Sequence, residues 1–119
     1  MLDKGRDLKL RVYKFSLEII KSLDKMGDKS AGRIIADQLL RASTSIGANI
    51  IEAKSSSSKK EFIHYFEIAL KSANETRYWI ALSRDSGLLE KAIANPLLEE
   101  AKELSNIIGA SILTMKNKN

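Results

Sequence analysis

Glu61 and His64 stand three residues apart in "SKKEFIHYFE". On a helix this Glu-x-x-His spacing puts a carboxylate and an imidazole on one face, as in four-helix bundles that hold two iron or manganese ions. Such a site needs a second Glu-x-x-His pair and two further inward glutamates. The chain has one histidine and no cysteine, so it cannot complete that ligand set by itself, and thiolate sites and disulfides are excluded. Glu61 also has a simpler use, because Ser58 and Glu61 have capping-box spacing at a helix start. No phosphate-cradling glycine loop, H-E-x-x-H pair or G-x-S-x-G elbow is present. The expectation is a protein without catalytic residues, metal or cofactor.

A second set of residues suits polyanions. Lysine and arginine number 20 against 15 acidic residues, a net charge of +5. The excess is uneven: Lys4, Arg6, Lys9, Arg11 and Lys14 face only Asp3 and Asp7 near the N-terminus, whereas residues 90–103 carry Glu90, Glu99, Glu100 and Glu103 against Lys91 and Lys102. Lys9, Arg11, Lys14, Arg33, Arg41, Lys59 and Lys60 are the candidate phosphate contacts. The competing reading is a set of solvated helix faces.

A third set lies in "STSIGANIIEA", residues 43–53, where poor helix formers gather inside an otherwise helical pattern. Ser45, Asn49 and Glu52 share one side of a helix, and Ser72, Glu75 and Trp79 repeat the spacing further on. Small residues such as Gly47 and Ala48 let helix axes approach closely. The reading is a structural polar seam of Ser45, Asn49, Glu52, Ser72 and Glu75, with Asn49 in reach of Ser72 or Glu75 on an antiparallel neighbour and fixing register. A ligand-binding role is the alternative.

The elements that position these residues follow from apolar periodicity. Leu8, Val12, Phe15, Ile19, Leu23 and Met26 form one stripe over 7–26, which Gly27 ends. Ser30 is a candidate N-cap for a helix over 30–54 with Ile35, Leu39, Ala42, Ile46, Ile50 and Ala53 inward. Ser55–Ser58 break that pattern, and a third helix runs over 59–85 with Phe62, Phe66, Ala69, Ala73 and Ile80 inward. Gly87 stops it. Pro96, the only proline, suits a helix first turn, so a fourth helix is expected over 96–116, with Leu97, Ala101, Leu104, Ile108, Ile112 and Met115 inward. No stretch shows strand alternation. Four helices of about 20–27 residues with short connections predict an all-α, antiparallel up-down-up-down bundle in a single domain spanning residues 1–119. The N-terminal stretch has neither a signal peptide's apolar core nor a membrane span, so a cytoplasmic protein is expected.

The third helix carries more apolar residues than one stripe needs. Tyr65, Ile68, Tyr78, Trp79 and Leu82 would leave an exposed patch, and they are the candidate oligomer interface. The aromatics Tyr13, Tyr65, Tyr78 and Trp79 read as core or subunit packing rather than base-stacking residues. Composition does not choose between dimer, tetramer and pentamer.

The stretch "LLRASTSIGANIIEAKSSSSKKEFIHYFEIALKSANETRYWIALSRDSGLL" resembles the shared core of the bacterial four-helix-bundle family called 23S rRNA intervening-sequence proteins. The likeness rests on Ser45-Ile46, Asn49-Ile50, Glu52-Ala53, the serine loop, Glu61-Phe62, Ile68-Ala69 and Glu75-Thr76-Arg77-Tyr78-Trp79, close to half the chain. Members are similar to the accessory protein of diversity-generating retroelements, a homopentameric barrel that associates with a reverse transcriptase and nucleic acid. The resemblance therefore implies a four-helix protomer, self-association as a pentamer, and RNA, DNA or a reverse transcriptase as partners. The expected function is a non-enzymatic, homo-oligomeric, nucleic-acid-associated adaptor. The alternative is a protein–protein interaction or structural module whose basic excess serves solubility.

Overall fold

The computed structural model describes residues 4–27 and 30–118, with α1 side chains from Leu8 onward. Four helices fill it: α1 (Lys4–Leu23), continued by a short 3-10 turn (Asp24–Met26), α2 (Ser30–Lys54), α3 (Lys59–Asp85) and α4 (Lys91–Lys116). No strand occurs among the described residues. They form an all-α bundle in which α2 packs on α1 and α3, and α4 packs on α3 and α1.

Each helix buries the stripe its periodicity predicts. Ile19, Leu39, Ile46, Ile50, Ile80, Leu104 and Ile108 are fully enclosed, each worth about 1.5–3 kcal/mol of transfer free energy. Between them lie small residues, Ala69, Ala73 and Ala101, and five buried hydroxyls, Ser22, Ser43, Thr76, Ser83 and Ser105. The hydroxyls donate to carbonyls one turn back, as from Thr76 to Ser72 and from Ser83 to Trp79, both at 2.7 Å. Satisfied this way, small polar residues line close helix contacts without a desolvation penalty.

The connections follow local chemistry. Ser58 caps α3, its hydroxyl accepting the Glu61 amide at 3.1 Å. At the other end of α3, Gly87 adopts a left-handed φ of 82°, which lets the Leu89 amide return to the Ser83 carbonyl at 3.0 Å. Leu89 is thereby driven into the core. The expected turn residues Asp28 and Lys29 lie outside the described residues. Ser30 is the first helical residue of α2 rather than its cap, a one-residue difference of the kind frayed helix ends produce.

α4 departs further from expectation. It starts at Lys91, five residues before Pro96, and the proline sits inside the helix on its exposed side. Ala94 is fully buried and Ile93 packs against the core, extending the stripe of Leu97 and Ala101 toward the N-terminus. Burying them outweighs the one hydrogen bond the proline cannot donate.

Candidate nucleic-acid interface

Antiparallel packing brings the start of α1, the end of α2, the start of α3 and the end of α4 to one pole. The Lys59 ammonium donates to the Lys118 carbonyl, Lys116 pairs with Glu67 at 3.2 Å, and Lys54 lies 5.8 Å from the centroid of the Phe62 ring. Lys54, Lys59, Lys60, Lys116 and Lys118 are all exposed at this pole, accompanied by Glu52, Glu61 and Glu67. Lys54 and Lys116 also sit in the last turns of α2 and α4, where they complement the negative helix ends.

The opposite pole is more evenly charged. There Arg84 bonds to Asp85 at 2.9 Å and to Asn95 at 3.0 Å. The Arg84 hydrogen bond holds the Asp85 carboxyl below the usual carboxylate range, opposed by slight desolvation and aided by the charges of Arg84 and Lys91.

The bundle divides the seven basic residues singled out in the sequence. Lys59 and Lys60 belong to the basic pole, and Lys9 and Lys14 are exposed along α1. Arg11 is held by α4: Nε donates to Glu100 at 3.1 Å, and the same side chain reaches Glu100 at 2.6 Å and Glu103 at 3.3 Å. Arg33 sits at the start of α2, toward the opposite pole, and Arg41 pairs with Asp37 at 3.0 Å. Lys4 and Arg6 have side chains outside the described set. Lys54, Lys116 and Lys118 join the pole only through the fold, since no sequence spacing links them to Lys59 and Lys60.

At this pole opens a groove of about 640 Å³ lined by Leu8, Phe62, Phe66, Ile107 and Met115, with Lys54 its one charged lining residue among the described residues. Phe62 and Phe66 stack there, centroids 4.5 Å apart at 20°.

The polar seam has a different wiring from the expected one. The Ser72 hydroxyl donates across to Ser45 Oγ at 2.9 Å, while Asn49 Nδ2 donates back to the Ser45 carbonyl at 2.8 Å and to Ser45 Oγ at 3.1 Å. Ser45 is thus the bridging residue, because its short side chain sits where α2 and α3 approach. Glu52 and Glu75 are exposed, and Glu75 instead accepts from the Trp79 indole at 3.4 Å. His64 is exposed, edge-on to Tyr65, and among the described residues no three of His, Cys, Asp or Glu cluster to hold a metal.

The apolar surplus also lies elsewhere. Tyr65 and Trp79 pack against the core margin and Ile68 and Leu82 are half-buried, leaving Tyr78 as the one large exposed apolar residue of α3. On α1, by contrast, Leu10, Tyr13, Leu17 and Ile20 are 49%, 64%, 40% and 48% exposed. Tyr13 and Tyr78 therefore lie outside the protomer core. The α1 residues are spaced three, four and three apart, opposite the buried stripe. That spacing was readable in the sequence, but it was masked by the stronger inward pattern of the same helix.

Residues 6–110 match the 23S rRNA-intervening sequence protein family. The chain belongs to that family. A crystal structure of an S23 ribosomal protein family member of unknown function from Bacteroides thetaiotaomicron superposes with a TM-score of 0.86 at 29% identity, covering 92% of this chain and 98% of the other. Comparison with curated proteins gives no match. The family match spans α2 and α3 whole and most of α1 and α4, and ends before Lys116 and Lys118. No described helix of this family member is long and apolar enough to cross a membrane.

Proposed function

We propose that this 23S rRNA-intervening sequence protein is a non-enzymatic, homo-oligomeric adaptor that binds nucleic acid in the cytoplasm through its basic pole. The observation that carries the reading is the convergence of Lys54, Lys59, Lys60, Lys116 and Lys118 from α2, α3 and the end of α4. A field of this kind favours phosphate backbones whatever their sequence. The family name, which refers to rRNA, agrees with an RNA setting. Self-association is supported by the exposed apolar stripe of α1, and copies of the pole in an oligomer would add their fields; the number five comes from the family resemblance, as does a reverse transcriptase as protein partner.

Binding to labelled RNA and to DNA across a salt series tests this. The expected result is a straight log–log loss of affinity with salt, reflecting counterion release. Its slope should shrink in Lys59→Glu/Lys60→Glu. No binding at low salt, or a flat slope, would sink the proposal.

A second reading, a protein-interaction module, is favoured by the absence of charge in the α1 stripe itself. Partners retained through nuclease treatment, together with no direct nucleic-acid binding by the purified protein, would select it.

A further inference from the structure

We infer that the groove at the basic pole takes an unpaired base, making the protein a binder of single-stranded nucleic acid; this rests on the nucleic-acid reading above. Three features converge. The groove is apolar and aromatic, with the half-buried Phe62 ring stacked on Phe66. Its lining includes the exposed Asn106 and Thr114, which offer donors and acceptors to a base edge. Among the described lining residues the charged one is Lys54, and Lys59, Lys60, Lys116 and Lys118 stand at the same end of the bundle.

Such a site suits a ligand that is flat and apolar in one part and anionic in the next. A nucleotide strand alternates these parts along its length. In a duplex both faces of each base are already stacked, so only the phosphates remain available to this pole. An unpaired base can leave the strand and enter the groove while its flanking phosphates reach the lysines, an arrangement that tolerates any base because every base has a π-face. At about 640 Å³ the groove falls within the range of small-ligand pockets.

The test measures affinity of the full chain for oligouridylate, for duplex RNA of the same length, and for the same strand with its bases removed at successive positions. The single strand should bind about tenfold tighter than the duplex, a difference of the order expected for stacking, and base removal should abolish that advantage. Ala110→Trp fills the groove from an exposed lining position and should cancel the single-strand preference while leaving duplex affinity unchanged. Thr114→Trp is a second filling variant should the first not fold, with helical circular dichroism as the check. Equal affinity for all three probes, unmoved by either variant, would overturn the inference and leave phosphate binding standing. No affinity for any probe would overturn both.

Discussion

Arg11 on α1 and Glu100 on α4 face each other as a two-pronged pair, with contacts at 2.6 and 3.1 Å and about 27% and 30% of their side chains exposed. The sequence places these residues in its most basic and most acidic segments, and the bundle brings them together. An arginine that looks available for phosphate is engaged by an acidic neighbour. Arg11→Ala should lower stability by about 1 kcal/mol, between the values for exposed and buried charged contacts, and should weaken nucleic-acid binding far less than Lys59→Glu/Lys60→Glu. Chemical denaturation and the salt-series binding assay read these separately. A larger binding loss for Arg11→Ala would assign it to the interface.

Ser45 is the residue to test in the seam. Ser45→Ala removes the Oγ that accepts from Ser72 and is the second acceptor of Asn49, which keeps the Ser45 carbonyl, and a loss of about 1 kcal/mol is expected. Asn49→Ala should cost less, because its bonds run within α2. The reverse order in urea denaturation would place register control on Asn49.

Two glycines of α2 should respond oppositely to alanine. A Cβ on Gly32 would lie 2.5 Å from the Met26 carbonyl oxygen, which is backbone and cannot swing aside. Gly32→Ala should therefore destabilise by about 1–3 kcal/mol. A Cβ on Gly47 meets Val12 Cγ2 at an ordinary 3.7 Å, so Gly47→Ala should stabilise by up to about 1 kcal/mol through helix propensity. Denaturation midpoints of the two variants should move in opposite directions.

Pro96→Ala restores an amide donor inside α4 at an exposed position. A gain of about 1–3 kcal/mol is expected, with no change in nucleic-acid affinity. A loss of stability would mean that the proline sets the path of α4.

The α1 stripe predicts the assembly. Leu17→Glu and Ile20→Glu alter exposed positions and should leave protomer stability within about 0.5 kcal/mol. Light scattering should show a lower mass than the unsubstituted chain. If mass falls instead with Ile68→Glu and Leu82→Glu on α3, the interface lies where the apolar count of that helix first suggested.

The helices were largely legible because their signals are local. Four consecutive serines, capping by Ser58 and the glycine after α3 mark the limits of α2 and α3, and both helices take the expected bounds. α4 was misread at its start because a proline was taken as the first-turn residue, when burial of Ile93 and Ala94 carries the helix through it. The polar seam was half legible: Ser45 and Ser72 do meet, but which residue of "STSIGAN" bridges depends on the distance and rotation between two helices, which periodicity does not contain.

The sequence by itself determined the all-α class, the four inward stripes and the lack of a second histidine for a two-histidine metal pair, because helix periodicity and residue inventory are properties of the chain alone. The family resemblance was legible there too. Only the tertiary structure decided which charges remain available and which apolar faces remain open. Neighbouring helices cover most of the surplus on α3 but leave the outer side of α1 bare. Antiparallel packing couples Arg11 to Glu100 while gathering lysines from residues 54 to 118 at one pole. Such pairings depend on spatial proximity, and residues distant in sequence become neighbours only when the helices pack.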